Sequence, residues 1–355
     1  MVGRTYSAQA LIALPNPKPV ITRLCHHMLE HGAEVSRQAG EVVLRLSGCT
    51  ARFFGEGART CVEIEAPDFE HLYFARMTIA SHILEFAGEA APEIRWSGDS
   101  DGQTRPPNFQ VLTVIGSHDV TPHMRRLRFR CQNAARFAGL DALHLNLLIQ
   151  RPELRSPVWP SVASSGVIEW EDPDHKPFLR KYTVRSVDVE TEEIEIDFVI
   201  HSDVGPGSRF AETVVIGTEV GVFGPGGGGL VVADWYLFAG DETALPAIAR
   251  MFANLPFAAT GIAYIEVADA EEIQALESSA AVDVRWLVRN GAKPGSLLVD
   301  AVRNSEFPED GRSIYLWAAC EHGAFKTIRQ FVREQTKLKR DEQLVVSYWR
   351  AGTSS

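Results

Sequence analysis

The stretch Arg180-Lys181-Tyr182-Thr183-Val184-Arg185 gathers two guanidiniums, an ammonium, a phenol ring and a hydroxyl in one extended segment. Strand alternation sends Arg180, Tyr182 and Val184 to one face and Lys181, Thr183 and Arg185 to the other. A planar ring beside an arginine that holds phosphate through two parallel hydrogen bonds suits a flat cofactor with a pyrophosphate tail, such as a flavin dinucleotide. Taken alone, the stretch also describes ordinary strand surface. Gly205-Pro206-Gly207-Ser208 offers backbone N–H groups and a hydroxyl to an anion, or else a simple turn. His201, at the end of a strand-like run, suits a ligand contact or a structural hydrogen bond. Gly240 to Pro246 joins a strand to a helix, where a dinucleotide can be received; Asp241 and Glu242 there also suit the helix dipole without any ligand. Gly224 to Gly229 is not followed at once by a helix, so it reads as an interdomain turn. His27 and His31 lie four apart on one helical face with Cys25 close by, a spacing that zinc or haem iron can use but that more often belongs to solvated or capping side chains; no metal is assigned.

The elements that carry these residues fall into three parts. From Val20 to Gly32 and from Phe69 to Phe86 the apolar residues recur at helical spacing, with strand-like runs between them. Residues 1–100 therefore form a small α+β domain, in which Pro15, Pro17 and Pro19 break the chain before the first helix. The segment Ser97 to Asn108, with Gly98, Asp99, Ser100, Asp101, Gly102, Pro106 and Pro107, is a linker by composition. Residues 101–234 hold short strands at 109–117, 125–130, 143–150, 182–189, 193–201 and 219–223, the pattern of a closed antiparallel barrel. Arg151 to Pro177, rich in proline, is expected as a long loop over that barrel. Residues 235–355 alternate strand and helix, including a helix at Ala270 to Leu276, which predicts a parallel sheet covered on both faces. A barrel followed by a parallel sheet is the order of flavin reductases fed by a nicotinamide.

Bulk properties narrow the classes. A chain of 355 residues with 45% hydrophobic and 23% charged residues is that of a multidomain globular protein. A net charge of −11 argues against non-specific nucleic-acid binding. Five cysteines without a C-x-x-C argue against a disulfide framework or a thiolate-bound iron–sulfur cluster and fit reducing cytoplasm. No run of apolar residues is long enough for a membrane span.

Residues 109–350 resemble the siderophore-interacting protein family, FAD-dependent ferric-siderophore reductases related to ferredoxin–NADP reductases. The resemblance rests on Arg180 to Arg185, Ile196 to His201, Gly205 to Phe210, Val222 to Pro225, Gly240 to Ile248, Trp317-Ala318-Ala319 and Tyr348-Trp349-Arg350, in the family's order. Residues 20–97 resemble a small domain family of undetermined role through Leu24 to His27, His31 to Val35 and Glu93 to Trp96. The resemblance implies an FAD site of Arg180 on the pyrophosphate, Tyr182 on the ring, and Thr183, Val184, His201, Gly207, Ser208, Thr243 and Trp349 around it. It implies NAD(P)H as co-substrate, received by Gly240, Asp241, Glu242, Cys320 and Glu321, and an anionic ferric siderophore met by Lys326, Arg329 and Arg350. No side-chain acid or base is obligatory. Members of the family it resembles usually have glycine where this chain has Cys320 and generally have lysine where it has Asn146. Two other readings stand beside this one: a flavin electron transferase whose acceptor is a redox protein or free flavin, and a non-enzymatic protein that binds a siderophore or a partner.

Overall fold

The computed structural model describes residues 4–352 except 39, 57, 100, 101, 103 and 202–204; the linker residues Ser100 and Asp101 lie outside the described residues. The chain divides into two compact units, one of residues up to Phe109 with Arg151–Lys176, the other of Gln110–Gln150 with Pro177 onward.

In the first unit β1 (Tyr6–Ile12) and α1 (Pro17–Glu30) precede β2 (Glu34–Gln38), β3 (Glu41–Leu46), β4 (Cys49–Glu56), β5 (Arg59–Ala66), α2 (Phe69–Ala87) and β6 (Trp96–Gly98). The strands form one antiparallel sheet in the order β2-β3-β4-β5-β1-β6. Alternate residues such as Ala8, Ala10, Ile12, Val62 and Ile64 pack on Leu24 and Met28 of α1 and on Leu72 and Ile79 of α2. The expected break at Pro17 and Pro19 is instead the start of α1. A first helical turn leaves its N–H groups without helical partners, so proline costs nothing there. Asp68 caps α2 by accepting the His71 backbone N–H at 2.9 Å.

The chain continues through β7 (Phe109–Thr121), β8 (Met124–Arg130) and β9 (His144–Ile149). The segment expected as a long loop over the barrel carries a two-stranded ribbon, β10 (Pro160–Val162) and β11 (Ile168–Trp170), and groups with the first unit. Within that unit the Ser165 carbonyl accepts the Trp96 indole N–H at 2.7 Å. Then come β12 (Phe178–Asp188), β13 (Glu193–Val199), α3 (Pro206–Thr213) and β14 (Glu219–Gly226), and the barrel closes in the order β12-β13-β8-β7-β14-β9. Its interior is filled by Leu127, Phe129, Leu145, Leu147, Ile196 and Phe198.

The remainder is β15 (Trp235–Gly240), α4 (Leu245–Phe252), β16 (Thr260–Val267), β17 (Ala281–Val288), α5 (Ser296–Arg303), β18 (Ile314–Glu321), α6 (His322–Gln335) and β19 (Gln343–Trp349). The strands are parallel in the order β17-β16-β15-β18-β19. Phe238 and Trp317 face α4, whereas Leu237, Leu316 and Cys320 face α5 and α6. The helix expected at Ala270 to Leu276 is only a 3-10 turn at Ala270–Glu272. Glu272 is drawn to the β7–β8 turn, where it accepts from the Thr121 hydroxyl at 2.5 Å and the His123 backbone N–H at 3.0 Å. Strand order reverses between β15 and β18, so their carboxyl ends frame the crevice where open parallel sheets receive ligands.

Candidate functional site

Two sets of residues converge in the second unit, one from the barrel and one from the carboxyl ends of β15, β18 and β19. On β12 the alternation holds. Tyr182 turns to Phe198, with ring centroids 4.3 Å apart, and its hydroxyl stands over Gly207. A Cβ at Gly207 would collide with that hydroxyl, so only glycine fits there. Thr183 turns the other way and hydrogen-bonds the Tyr348 hydroxyl of β19. Val184 is sealed in the barrel core, and its carbonyl accepts from Arg250 at 2.9 Å. Arg180 donates through one terminal nitrogen to the Leu179 carbonyl at 2.8 Å, while its Nε is buried without a partner.

Gly207 and Ser208 lie in the first turn of α3, whose N-cap is Gly205 and whose first residue is Pro206. The expected phosphate loop is thus a helix start, which likewise leaves N–H groups for an anion. The Ser208 hydroxyl accepts the His201 backbone N–H at 3.5 Å, and the His201 side chain is exposed.

At the switch point Asp241 is wholly buried. It accepts from the Thr243 N–H at 3.0 Å, the Thr243 hydroxyl at 2.5 Å, the Glu321 N–H at 3.0 Å and the Trp349 indole N–H at 2.8 Å. One carboxylate therefore ties the loop after β15 to the ends of β18 and β19. Burial pushes its carboxyl up to about 6 against those donors, which leaves it ionised at neutral pH. Glu242 pairs with Arg289 at 2.5 Å, and Arg289 also reaches the buried Glu266 at 3.2 Å. Glu321 caps α6 through the Gly323 N–H at 2.5 Å and accepts the Ala351 N–H at 3.2 Å. Burial works to raise its carboxyl, but the N–H groups of Ala351, Gly323 and Ala324 hold it below its ordinary value. Cys320 points into the core under α5 and α6, and burial raises its thiol far from the thiolate range. The acidic side chains and the thiol of the expected nicotinamide set are thus turned to protein partners, and what they offer outward is backbone and a fixed Trp349.

Trp317 and Tyr348 stand in sequence motifs, but no motif shows that they come together with His144 and Arg250 at the joint between the two sets. His144 of β9 meets the Tyr348 hydroxyl at 2.6 Å, with the Trp317 ring edge-on to Tyr348 at 6.2 Å. Burial first, then the charges of Lys181 and Arg250, push His144 down to about 4, so the ring is neutral and its Nδ1 is left without a partner. Arg250 of α4 reaches the barrel through the carbonyls of Phe137, Val184 and Gly139. Only the pairing of β9 with β12 and of β18 with β19 brings these residues together. The exposed Lys181 stands directly across from Asn146 in that pairing. Lys326 and Arg329 are exposed on α6, with Arg329 over the Phe325 ring at 5.7 Å, and Arg350 is exposed after β19.

A closed antiparallel barrel followed by a parallel sheet, with a barrel that matches an FAD-binding domain over residues 113–229, makes the chain a flavin oxidoreductase of the two-domain type. The profile of the siderophore-interacting FAD-binding domain matches residues 113–229, and that of the siderophore-interacting protein matches residues 233–352. A profile described only as an uncharacterized protein conserved in bacteria matches residues 9–97. A siderophore utilization protein from T. fusca is 36% identical, with a TM-score of 0.61 over 69% of this chain and 94% of its own. The siderophore-interacting protein SipS from Aeromonas hydrophila is 32% identical, with a TM-score of 0.60 over 69% of this chain and 93% of its own. Ferric vibriobactin reductase ViuB of Vibrio cholerae is 32% identical over 182 residues, 51% of this chain and 67% of that protein. The chain belongs to the siderophore-interacting protein family.

Proposed function

We propose that the chain is an FAD-dependent ferric-siderophore reductase that draws electrons from NAD(P)H and releases iron as Fe(II). The observation that carries this reading is a barrel of the siderophore-interacting FAD-binding type joined to a sheet whose switch point is locked by Asp241, in a chain similar to named ferric-siderophore reductases. The residues present fit FAD. The buried, partnerless Nε of Arg180 suits a pyrophosphate, and the start of α3 at Gly207 and Ser208 suits a phosphate. Tyr182, Thr183, His201, Thr243 and Trp349 complete the proposed set; Val184, expected in it from the sequence, is sealed in the barrel core with its N–H on the Leu143 carbonyl and its own carbonyl on Arg250. Bound FAD supplies the conversion between a two-electron donor and one-electron steps.

The rest is done by the chain itself. Asp241 holds Trp349 and the Glu321 end of β18 in place, so Gly240 and the β18 terminus receive the nicotinamide by backbone. The neutral His144 and Tyr348 close the joint without a charge that would need solvent. Lys326, Arg329 and Arg350 are the proposed cations for the anionic chelate. In balance, one NAD(P)H gives up a hydride, two ferric centres each gain one electron, and one proton is released. Residues 1–100, 101–234 and 235–355 are the proposed domains, and the cytoplasm is the proposed compartment. Among the described residues no helix is long and apolar enough to cross a membrane.

Anaerobic titration of the purified protein with NADH and NADPH should bleach a flavin absorbance, and addition of a ferric siderophore should restore it with formation of Fe(II). A colourless protein that takes up no FAD defeats the reading. Reoxidation by a redox protein or free flavin but not by ferric chelates assigns a different acceptor.

A further inference from the structure

The histidine pair on α1 has a third member that no sequence spacing suggests. The His82 ring of α2 lies against His27, tilted by 39° with ring centroids 4.8 Å apart, and the His27 ring lies 4.7 Å from that of His31. The rings pack against one another at 63° (His27–His31) and 39° (His27–His82), so their nitrogens meet on one ion only after side-chain rotation. The His82 Nδ1 lies 2.7 Å from the Thr78 carbonyl, which only accepts, so Nδ1 carries the proton and Nε2 keeps its lone pair. A backbone carbonyl on the far nitrogen is the usual support of a metal-binding histidine. Glu30 stands 4.0 Å from the His27 Nδ1 and can add an oxygen. Beside the rings an open depression of about 310 Å³, lined by Thr22, Arg23, His26, His27, Glu30 and Phe86, leaves room for an ion with its water. Arg23, the cation on this rim, lies over the Phe86 ring at 5.4 Å. Cys25 faces the opposite way into the core, so the thiol beside the pair in the sequence is not a ligand.

We propose that His27, His31 and His82 form a binding site for a first-row divalent cation of the kind imidazole favours, such as Zn2+ or Fe2+. Exposed His31 completes the set by a side-chain rotation toward His27. On the reductase reading above, the ferrous product belongs to this class of cation. Among the described residues, the group whose ligating atoms already lie together is His123 with Asp269 and Glu272; it is closed by hydrogen bonds from Thr121 and His123 to Glu272 and serves as the control.

The test is calorimetric titration of the full FAD-loaded chain with Zn2+ in a non-chelating buffer, repeated anaerobically with Fe2+. One saturable site per chain is expected. His27→Ala, His31→Ala and His82→Ala should each weaken it about tenfold or more, and His123→Ala should leave it unchanged. Cu2+ bound in place of Zn2+ should show imidazole nitrogen couplings in its paramagnetic resonance spectrum, and His82→Ala should reduce their number. Absence of saturable binding, indifference to His82→Ala, or loss with His123→Ala would overturn the proposal. Zinc binding does not depend on reductase activity, so an inactive protein that binds zinc fails only the earlier reading, and an active one that does not fails only this one.

Discussion

Replacing Asp241 by asparagine probes the tie at the switch point. The wild-type carboxyl moves from 3.8 to about 6 on folding, chiefly because it is removed from water. Such a change carries ~3 kcal/mol of pH-dependent free energy. The folded state holds this proton more tightly than the unfolded chain does. The stabilising contribution is therefore present below pH ~4 and is lost as pH rises through 6. Asparagine cannot titrate. It also presents an NH2 group where one carboxylate oxygen accepted from Glu321 and Trp349. Those two donors then lose their acceptor, at about 1–3 kcal/mol each. Urea unfolding of both proteins from pH 4 to pH 8, followed by circular dichroism, gives the stability of wild type minus variant. That difference should fall by ~3 kcal/mol across the range, whatever its absolute value. Trp349, released from its acceptor, should become more accessible to an aqueous fluorescence quencher. A stability difference that stays flat across this pH range refutes the reasoning.

Gly207→Ala sets a methyl group against the Tyr182 hydroxyl and pushes the ring off Phe198; FAD affinity measured by flavin fluorescence should fall at least about tenfold. His144 is held neutral, with its value depressed from 6.5 to about 4. Its contribution is therefore present above pH ~6.5 and is lost as pH falls toward 4, ~3 kcal/mol in all, and His144→Gln should flatten that acid limb in equilibrium unfolding. Arg250→Met strips the donor from the buried carbonyls of Phe137 and Val184 and from the half-buried one of Gly139, and should cost about 3–5 kcal/mol in chemical denaturation. Arg250→Lys should not restore it, because an ammonium cannot reproduce the planar fork.

Much of the fold was legible because the hydrophobic period changes between the three parts of the chain. Leu72 and Ile79 mark α2 at helical spacing, and the strand-helix alternation after Gly240 marks the parallel sheet. The errors have local causes. Pro17 and Pro19 read as breakers although a helix can open on them. Ala270 to Leu276 read as helix because Glu272's pull toward Thr121 and His123 is a tertiary contact with no trace in the local pattern. The site divides in the same way. Arg180, Tyr182 and Gly207 sit in short motifs, but His144 and Tyr348 meet across 204 residues. The Asp241 tie to Trp349 spans 108 residues. His82 joins His27 only once two helices pack.

The Arg250 contacts have a consequence for what the joint recognises. The guanidinium donates to main-chain oxygens of Phe137, Val184 and Gly139. Main-chain oxygens are the same in all twenty residue types. The joint therefore recognises the path of the chain and not the letters along it. What holds the side chains of Phe137 and Val184 is the packing of the barrel core and not the arginine, so the joint and the core place separate demands on the same residues.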